Sequence, residues 1–459
     1  MYGIRSKSLA QFAGFAIAVL AVVAPQSMRA ESLGDALVGA YRNSALLEQN
    51  RALLRAADEG VAFEVGKLRP VLSYALSHTR SDTVLGGVSH SNTASLSASM
   101  LLWDFGATEL GIEAQKETVL ATRQALIDVE QTVLNNAVNA FITVRTAAEL
   151  VLVRQNNVRL ITEQLRAAND RFEVGEITRT DVALAEARLA QARSNLVAAE
   201  GDLAVARELY KVAVGRYPGN LQAPPSPPNT ASTLEEAKAI AVRTHPTIRQ
   251  AQHGVRAAEL AADAAETGIM PKLSASANLS RDIPNGQNAS SLSLSFSGPI
   301  YSGGQISSGY RRLVAQSESS RAQLRIAVQS VEQAVANAWF GIEVANARIE
   351  ASDRQIRAST VAFRGVQEEA TLGARTTLDV LNAEQDLLDA RTSRINAEAE
   401  SVRAVYTLLS AMGLLTVDHL RLGIPTYDPA AYYNSVRNAP VLSERGARLN
   451  RILGRIGGN

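Results

Sequence analysis

Two kinds of hydrophobic periodicity alternate along this chain. Between residues 70 and 104, and again between 271 and 301, apolar residues occupy every second position and small polar residues lie between them. Such alternation predicts β-strands with one apolar and one polar face. Each pair of predicted strands is followed by an Ala- and Leu-rich helical pattern that continues for about 67 residues, or roughly 100 Å. Helices of that length exceed what a globular domain requires.

Two related segments interrupt the long helical patterns. They read FEVGEITRTDV over residues 172–182 and EATLGARTTLDV over residues 369–380. In each, a Gly is followed three residues later by Thr and three further on by Asp. The Gly supplies the positive φ that ends one helix, and Thr-x-x-Asp predicts a capping box that begins the next. We therefore predict two helical hairpins with tips at Gly175 and Gly373.

The second half of the chain repeats the first. Over the opening of each half, equivalent residues are 201 positions apart, as for Pro70 and Pro271. After one gap the separation becomes 198, as for Asp181 and Asp379. One gap in about 180 aligned positions indicates an internal duplication.

The repeat and the composition predict five regions. They are a signal peptide (1–30), a first repeat (31–215) with a β-hairpin at about 70–104, a linker (216–232), a second repeat (233–415) with a β-hairpin at about 271–301, and a tail (416–459). Five prolines give the linker an extended geometry, so it should cross the outside of the structure. We expect the tail to be disordered beyond Ala439.

Within each repeat, local signals predict the same order of elements. A short helix breaks near Ser44 in the first repeat and at Pro246 in the second, where Pro suits the first position of a new helix. Turn-rich loops, with His78 and His90 flanking the first, should join the strands, and the second strands should end at Trp103 and Tyr301. The helix before the strands and the helix after the tip are each shorter than the long helix. We expect those two to stack end to end beside it.

Composition excludes several classes of function. The 459 residues include 46 basic and 45 acidic side chains and no Cys. A disulfide framework or Cys-based metal site is therefore impossible, and no basic face favours nucleic acid. The five histidines, His78, His90, His245, His253 and His419, lack metal-ligand spacing. No catalytic motif is present, so we expect neither an enzyme nor a cofactor.

The first 30 residues indicate export. Arg5 and Lys7 precede an apolar run over residues 12–24, and cleavage after Ala30 is compatible with a secretory signal peptide. An N-terminal membrane anchor is the alternative, but the run is shorter than the ~20 residues that a spanning helix needs. No later apolar stretch is expected to span a bilayer as a helix. If the mature chain enters a membrane, it should do so by strands.

Four strands cannot close a transmembrane barrel, because barrels need at least about eight. Two chains would give a barrel filled by its own side chains, whereas three would give 12 strands and a lumen. Trp103 and Tyr301 would then suit an aromatic girdle. The alternative is a pair of surface hairpins on a soluble core, although the flanking helices are too long to wrap one.

The chain resembles a known family, the TolC-like outer-membrane factors of drug efflux and type I secretion. The resemblance covers Ser32 to about Leu415 and depends on the duplication, the strand ends LWDFG and GPIYSGGQ, and the two tips. It implies a mainly α fold with a transmembrane β-barrel portion, formed by a homotrimer with a 12-stranded barrel in outer-membrane lipid and a long periplasmic α-helical barrel. It also implies a periplasmic adaptor protein and an inner-membrane transporter as partners.

The resemblance further implies a gate at the tips. Arg375 stands where a bonding Arg closes the periplasmic entrance in the family, with Thr180 and Asp181 as its partners on the other hairpin, and Asp379 falls at a position of a carboxylate ring. Two positions depart from the family: Ala370 replaces the gate Tyr, and Asn382 replaces a second ring carboxylate. These departures imply a weaker closed state and lower cation selectivity. The residues implied as adaptor contacts are Val174, Gly175, Leu372 and Gly373.

A rival interpretation is a periplasmic coiled-coil tether or adaptor rod without a pore. It explains the long helices but not the paired, Ser-alternating β-hairpins.

Overall fold

The computed structural model describes residues 30–83, 87–225, 228, 230–283, 286–438, 448 and 451. The predicted signal peptide lies outside the described residues except for Ala30. The segment beyond Ala439 that we expect to be disordered also lies outside them, apart from residues 448 and 451.

Helices and strands follow in the same order in the two repeats. In the first they are α1 (Leu33–Asn43), α2 (Ala45–Gly66), β1 (Val71–Thr83), β2 (Gly87–Trp103), α3 (Ala107–Glu173) and α4 (Arg179–Val214). In the second they are α5 (Leu234–Thr244), α6 (Pro246–Glu266), a short 3₁₀ turn (Thr267–Ile269), β3 (Lys272–Asp282), β4 (Asn288–Ser297), α7 (Gln305–Thr371) and α8 (Thr377–Ala411). One more short helix, α9 (Pro429–Val436), follows the second repeat.

The predicted breaks between the short helices are confirmed. The Ser44 hydroxyl accepts a hydrogen bond from the Leu47 backbone N–H and so caps α2. In the second repeat the equivalent cap is His245, and Pro246 is the first residue of α6. A proline fits there because the first N–H groups of a helix have no partner within it.

The end-to-end stacking of the shorter helices is also confirmed. The α3 helix has 67 residues, whereas α2 has 22 and α4 has 36, and both shorter helices pack against α3. In the second repeat, α6 and α8 pack in the same way against α7. Each repeat is one long rod beside one broken rod.

All layers of the molecule share one lateral order. The hairpin helices lie in the order α4, α3, α8, α7, and the helices nearer the strands lie in the order α2, α3, α6, α7. The strands form one antiparallel sheet in the order β1, β2, β3, β4. One side of the chain therefore ends in β1, α2 and α4, and the other side ends in β4 and α7. Within the described chain no further strand pairs with the outer edge of β1 or of β4.

The strand register aligns residues of the same character in rows across the sheet. On one face, Leu72 pairs with Ala98, Ala98 with Ala277, and Ala277 with Leu292. On the other face the corresponding row is Ser73, Ser97, Asn278 and Ser291, in which the Ser73 and Ser97 hydroxyls lie 2.7 Å apart. The large apolar side chains of the first face are exposed, as lipid-facing residues of a membrane sheet would be.

Two expectations about the strands are wrong. The His78 and His90 side chains do not flank a loop; they lie on β1 and β2 and stack with ring centroids 5.6 Å apart. The ladder continues past the apolar alternation because cross-strand pairing satisfies the backbone regardless of side-chain polarity. In contrast, β4 ends earlier than expected, at Ser297, so Tyr301 lies in the following loop. Pro299 has no N–H with which to continue the ladder.

The main hydrophobic core lies where α1, α3, α4 and α8 meet, and it includes Phe141, Tyr210 and Leu409. The chain enters this region at Glu31, whose carboxylate accepts hydrogen bonds from the Tyr210 hydroxyl (2.6 Å) and from Arg216 Nη2 (2.7 Å). Through Arg216 this contact fastens the start of the predicted linker to the start of the first repeat.

The structure describes the segment after the second repeat up to residue 438. Its helix α9 packs against α2, and the Tyr432 hydroxyl donates a hydrogen bond of 2.7 Å to Glu59. The Arg123 guanidinium lies over the Tyr433 ring at 5.3 Å. This part of the tail therefore lies on the outside of the helices next to the strands.

One helix of the described chain, α3, is long enough and apolar enough over an 18-residue window to cross a membrane by composition alone. This corrects the expectation that no such stretch follows the signal peptide. The same helix packs along its length against α2, α4, α6 and α8, and the amphipathic core it forms with them accounts for its apolar character.

Candidate functional site

Local hydrogen bonds build the two hairpin tips in the same way. The tip glycines, Gly175 and Gly373, have φ of 82° and 77°, a conformation that L side chains rarely adopt. In the first tip, the Thr178 N–H donates to the Asp181 carboxylate (3.0 Å) and the Asp181 N–H donates to the Thr178 hydroxyl (3.4 Å). The second tip has the same reciprocal pair, so both predicted capping boxes are confirmed.

The charged residues of the second tip bond within that tip. Arg375 Nε donates a 2.8 Å hydrogen bond to Glu369 Oε2, and this contact raises the pKa of the guanidinium. Hydrogen bonds from the Thr376 backbone N–H and hydroxyl lower the pKa of the Asp379 carboxyl. Within the described residues of a single chain, Arg375 makes no hydrogen bond to Thr180 or Asp181. The predicted pairing across hairpins stays a prediction.

Two contacts near the tips join the hairpins of one chain. Arg188 Nη2 on α4 donates to Asn382 Oδ1 on α8 at 3.1 Å. Arg171 Nη1 on α3 donates to the Ala370 carbonyl at 3.5 Å. Asn382 and Ala370, the two positions that depart from the family pattern, therefore both accept hydrogen bonds from the first hairpin.

The predicted adaptor contacts lie at the extreme end of the molecule. Val174 and Leu372 are 71% and 84% exposed. Nothing lies within 4 Å of a Cβ added at either tip glycine, so Gly175 and Gly373 are open as well. Each tip thus presents an unpartnered apolar side chain beside an accessible backbone, as a protein docking point would.

A buried polar pair links the two hairpins above the tips. Asn157 Nδ2 on α3 donates a 2.8 Å hydrogen bond to Glu384 Oε1 on α8. The Glu384 side chain is 4% exposed, and its Oε2 atom has no partner among the described residues. Burial raises the pKa of Glu384 to about 7, and the bond from Asn157 opposes that rise only in part.

Both apolar and charged side chains surround this pair. A cavity of about 350 Å³ adjoins Glu384 and is lined by apolar residues that include Leu160 and Leu387 and by the charged residues Arg159, Glu163 and Arg391. Sequence reasoning missed Glu384. The available signal was the preservation of this Glu in the duplication, as Glu186 in the first repeat.

The two predicted girdle aromatics lie next to the sheet. Trp103 is the last residue of β2, and its ring stacks on that of Phe105 with centroids 4.0 Å apart. Tyr301 is 89% exposed in the loop after β4. Their role at a membrane interface stays a prediction.

No group of His, Asp or Glu side chains in the described residues could hold a metal ion. The site therefore consists of the two hairpin tips, the contact between the two hairpins at Asn157 and Glu384, here called the seam, and a sheet with an exposed apolar face.

Comparisons with known proteins agree with this geometry. The family described as outer membrane efflux protein matches residues 37–216 and 240–414. Outer membrane efflux protein BepC of Brucella suis is 34% identical over 424 residues, which are 91% of this chain and 93% of BepC. Outer membrane protein TolC of Escherichia coli K12 is 26% identical over 397 residues, or 80% of each chain. The crystal structure of the outer membrane protein VceC from Vibrio cholerae superposes with a TM-score of 0.72 at 18% identity, covering 83% of this chain and 96% of VceC.

The fold, the exposed apolar sheet and these relatives thus define an outer-membrane channel protein that extends into the periplasm. The two matched ranges coincide with the two repeats, and together they cover more than half of the chain. The chain belongs to the outer membrane efflux protein family. The family is one of transport proteins rather than enzymes.

Proposed function

We propose that three copies of this chain form an exit duct of a tripartite efflux or type I secretion system. The duct passes small molecules or proteins from an inner-membrane transporter, through a periplasmic adaptor, to the outside. The observation that carries the proposal is the pair of open sides of the chain, with β1 and α4 on one and β4 and α7 on the other.

The open sides are complementary in direction. Neighbouring strands of the sheet are antiparallel, so β4 of one copy can pair with β1 of the next in the same manner. Closure removes the two exposed strand edges. Three copies give 12 strands and a water-filled lumen lined by the serine face, whereas two copies give a barrel that side chains fill.

The exposed apolar residues of α7 support the same closure. Phe340 and Val344 are exposed, and their counterparts 198 positions earlier are Ile142 and Thr146. Ile142 and Thr146 line a cavity between α3 and α8 of the same chain. The duplication therefore supports a contact of the same kind for Phe340 and Val344, with a helix that a single chain lacks.

We take that helix to be α4 of the next copy, because α4 also carries exposed apolar residues. Val197 and Val205 are exposed, and their counterparts on α8 are Ile395 and Arg403. Ile395 lines the cavity beside α3, and Arg403 Nη2 donates to the Thr143 hydroxyl on α3 at 3.1 Å. In the trimer, α7 of one copy packs beside α4 of the next, as α3 packs beside α8 within a copy.

At the inner end of the duct, six tips converge. There Arg375 exchanges Glu369 for Thr180 and Asp181 of a neighbouring hairpin and holds the entrance closed, while Asp379 and Asn382 line the constriction. The adaptor docks on Val174, Gly175, Leu372 and Gly373. Trp103 and Tyr301 form part of the girdle at the membrane interface.

Single-channel conductance in planar bilayers tests the proposal. The wild type should give a small conductance, and Asp181→Asn with Arg375→Gln should raise it, because the two substitutions remove the opposite charges of the proposed pair and leave polar side chains in their place. A control with Glu176→Gln and Arg179→Gln removes the same charges from exposed positions of the first tip and should leave the conductance unchanged. No conductance from folded protein would refute the duct, and an equal rise in both variants would refute the gate.

A further inference from the structure

Within one chain the two hairpins meet where α3 packs against α8. The duplication predicts an equivalent contact between α7 and α4, which requires α4 of a second copy. Asn157 and Glu384 form the buried bond within the chain. In the duplication, Gln355 is equivalent to Asn157 and Glu186 to Glu384, again 198 residues apart. The amide and the carboxylate are thus both retained, although one Asn is exchanged for Gln.

The two counterparts occupy the same register with respect to their tips. Asn157 precedes Gly175 by 18 residues, and Gln355 precedes Gly373 by 18. Glu384 follows Gly373 by 11 residues, and Glu186 follows Gly175 by 11. A seam that repeats the geometry of α3 and α8 therefore brings Gln355 opposite Glu186.

Gln355 and Glu186 cannot meet within one chain. Gln355 lies on α7 and Glu186 on α4, which are at opposite ends of the helix array. Both side chains are exposed, and neither has a hydrogen-bond partner within the described part of a single chain. Of their equivalents, in contrast, Glu384 is one of the few buried carboxylates among the described residues.

We propose that the Gln355 side chain of one copy donates a hydrogen bond to the Glu186 carboxylate of the next copy, and so fastens the hairpins of neighbouring subunits. The inference rests on the proposed trimer and adds a specific contact to it. Three bonds within chains and three between chains then form one ring of six carboxylate–amide pairs above the tips. Because each pair joins two hairpins, the ring resists the separation of the hairpins that opening of the entrance requires.

The absence of native cysteine permits a direct test. The variant Glu186→Cys with Gln355→Cys is purified from outer membranes and treated with a short bis-methanethiosulfonate crosslinker. Denaturing electrophoresis should show monomer shifting to crosslinked dimer and trimer. The pair Asn157→Cys with Glu384→Cys is the matched control, and it should consume its thiols within one chain without forming larger species.

A second control tests the register. Glu186→Cys with Ala362→Cys moves one thiol seven residues along α7, or roughly 10 Å, and should lose the interchain product. We call the proposed bond between Gln355 of one copy and Glu186 of the next the clasp. Amine crosslinking of the wild type tests whether the protein is a trimer, independently of the clasp.

The outcomes separate the two ideas. If the wild type is a trimer but the Glu186 and Gln355 pair gives no interchain product, the clasp is wrong and the duct proposal stands. The clasp is equally wrong if the displaced pair reacts as well. If amine crosslinking finds no trimer, the proposed function fails and the clasp fails with it.

Discussion

Replacing Glu384 by Gln should change how the stability of the helical hairpins depends on pH. The substitution keeps the size of the side chain and an oxygen that can accept the bond from Asn157, but it removes the charge. Glu384 suits this test because its side chain is 4% exposed and one of its carboxylate oxygens has no partner among the described residues. A buried carboxylate in this position favours its neutral form.

The expected magnitude follows from the pKa. Burial raises the pKa of Glu384 from 4.5 to about 7. Between these values the unfolded chain releases the proton while the folded chain retains it, so the free energy of unfolding falls as the pH rises. The decrease is about 1.4 kcal/mol per pH unit and reaches roughly 3 kcal/mol per chain above pH ~7. Below the pKa of the unfolded chain this decrease in the free energy of unfolding is absent, because Glu384 is protonated in both states.

The measurement is urea unfolding of the purified protein in detergent, followed by far-ultraviolet circular dichroism at about pH 5 and about pH 8. We compare the free energy of unfolding of Glu384→Gln with that of wild type at each pH. The difference should be about 2 kcal/mol more favourable to the variant at the higher pH than at the lower pH. Any constant cost of placing an amide at this site cancels in that difference. Glu318→Gln, which changes an exposed acid on α7, should show no such gain. Equal pH dependence of wild type and Glu384→Gln would show that this carboxyl titrates normally and would refute the reasoning.

Three further substitutions test other parts of the structure. Phe340→Asp should convert trimer to monomer in size-exclusion chromatography, because a charge replaces roughly 2 kcal/mol of apolar burial at each proposed interface; an unchanged trimer would contradict the placement of α7. Thr376→Ala should weaken the start of α8 by about 1 kcal/mol, seen as faster amide hydrogen exchange there and not at the equivalent cap of Thr178. Tyr210→Phe removes the buried donor to Glu31 and should lower the free energy of unfolding by about 1–3 kcal/mol, so an unchanged urea midpoint would show that the bond adds nothing.

Most of the fold could be predicted from local pattern. The alternation of Leu and Ser defines the strands, the long 3.6-residue period defines the hairpins, and Gly-x-x-Thr-x-x-Asp defines the tips, because each signal acts within a few neighbouring residues. The predicted ends of strands were less accurate. β4 ends at Ser297 rather than near Tyr301, because the length of a ladder depends on its partner strand and on the N–H that Pro299 lacks.

The sequence by itself determined the duplication, the order of elements, the capping boxes and the family. Only the tertiary structure decided which polar groups meet. Arg375 bonds Glu369 in a single chain, and Asn382 accepts a bond from Arg188, although neither partner is marked by a motif. Glu186 and Glu384 are the same residue at equivalent positions, yet one is exposed and the other is buried. Burial depends on the helix that packs alongside: Glu384 on α8 bonds to Asn157 on α3 of the other repeat, whereas Glu186 on α4 has no such partner within the described chain.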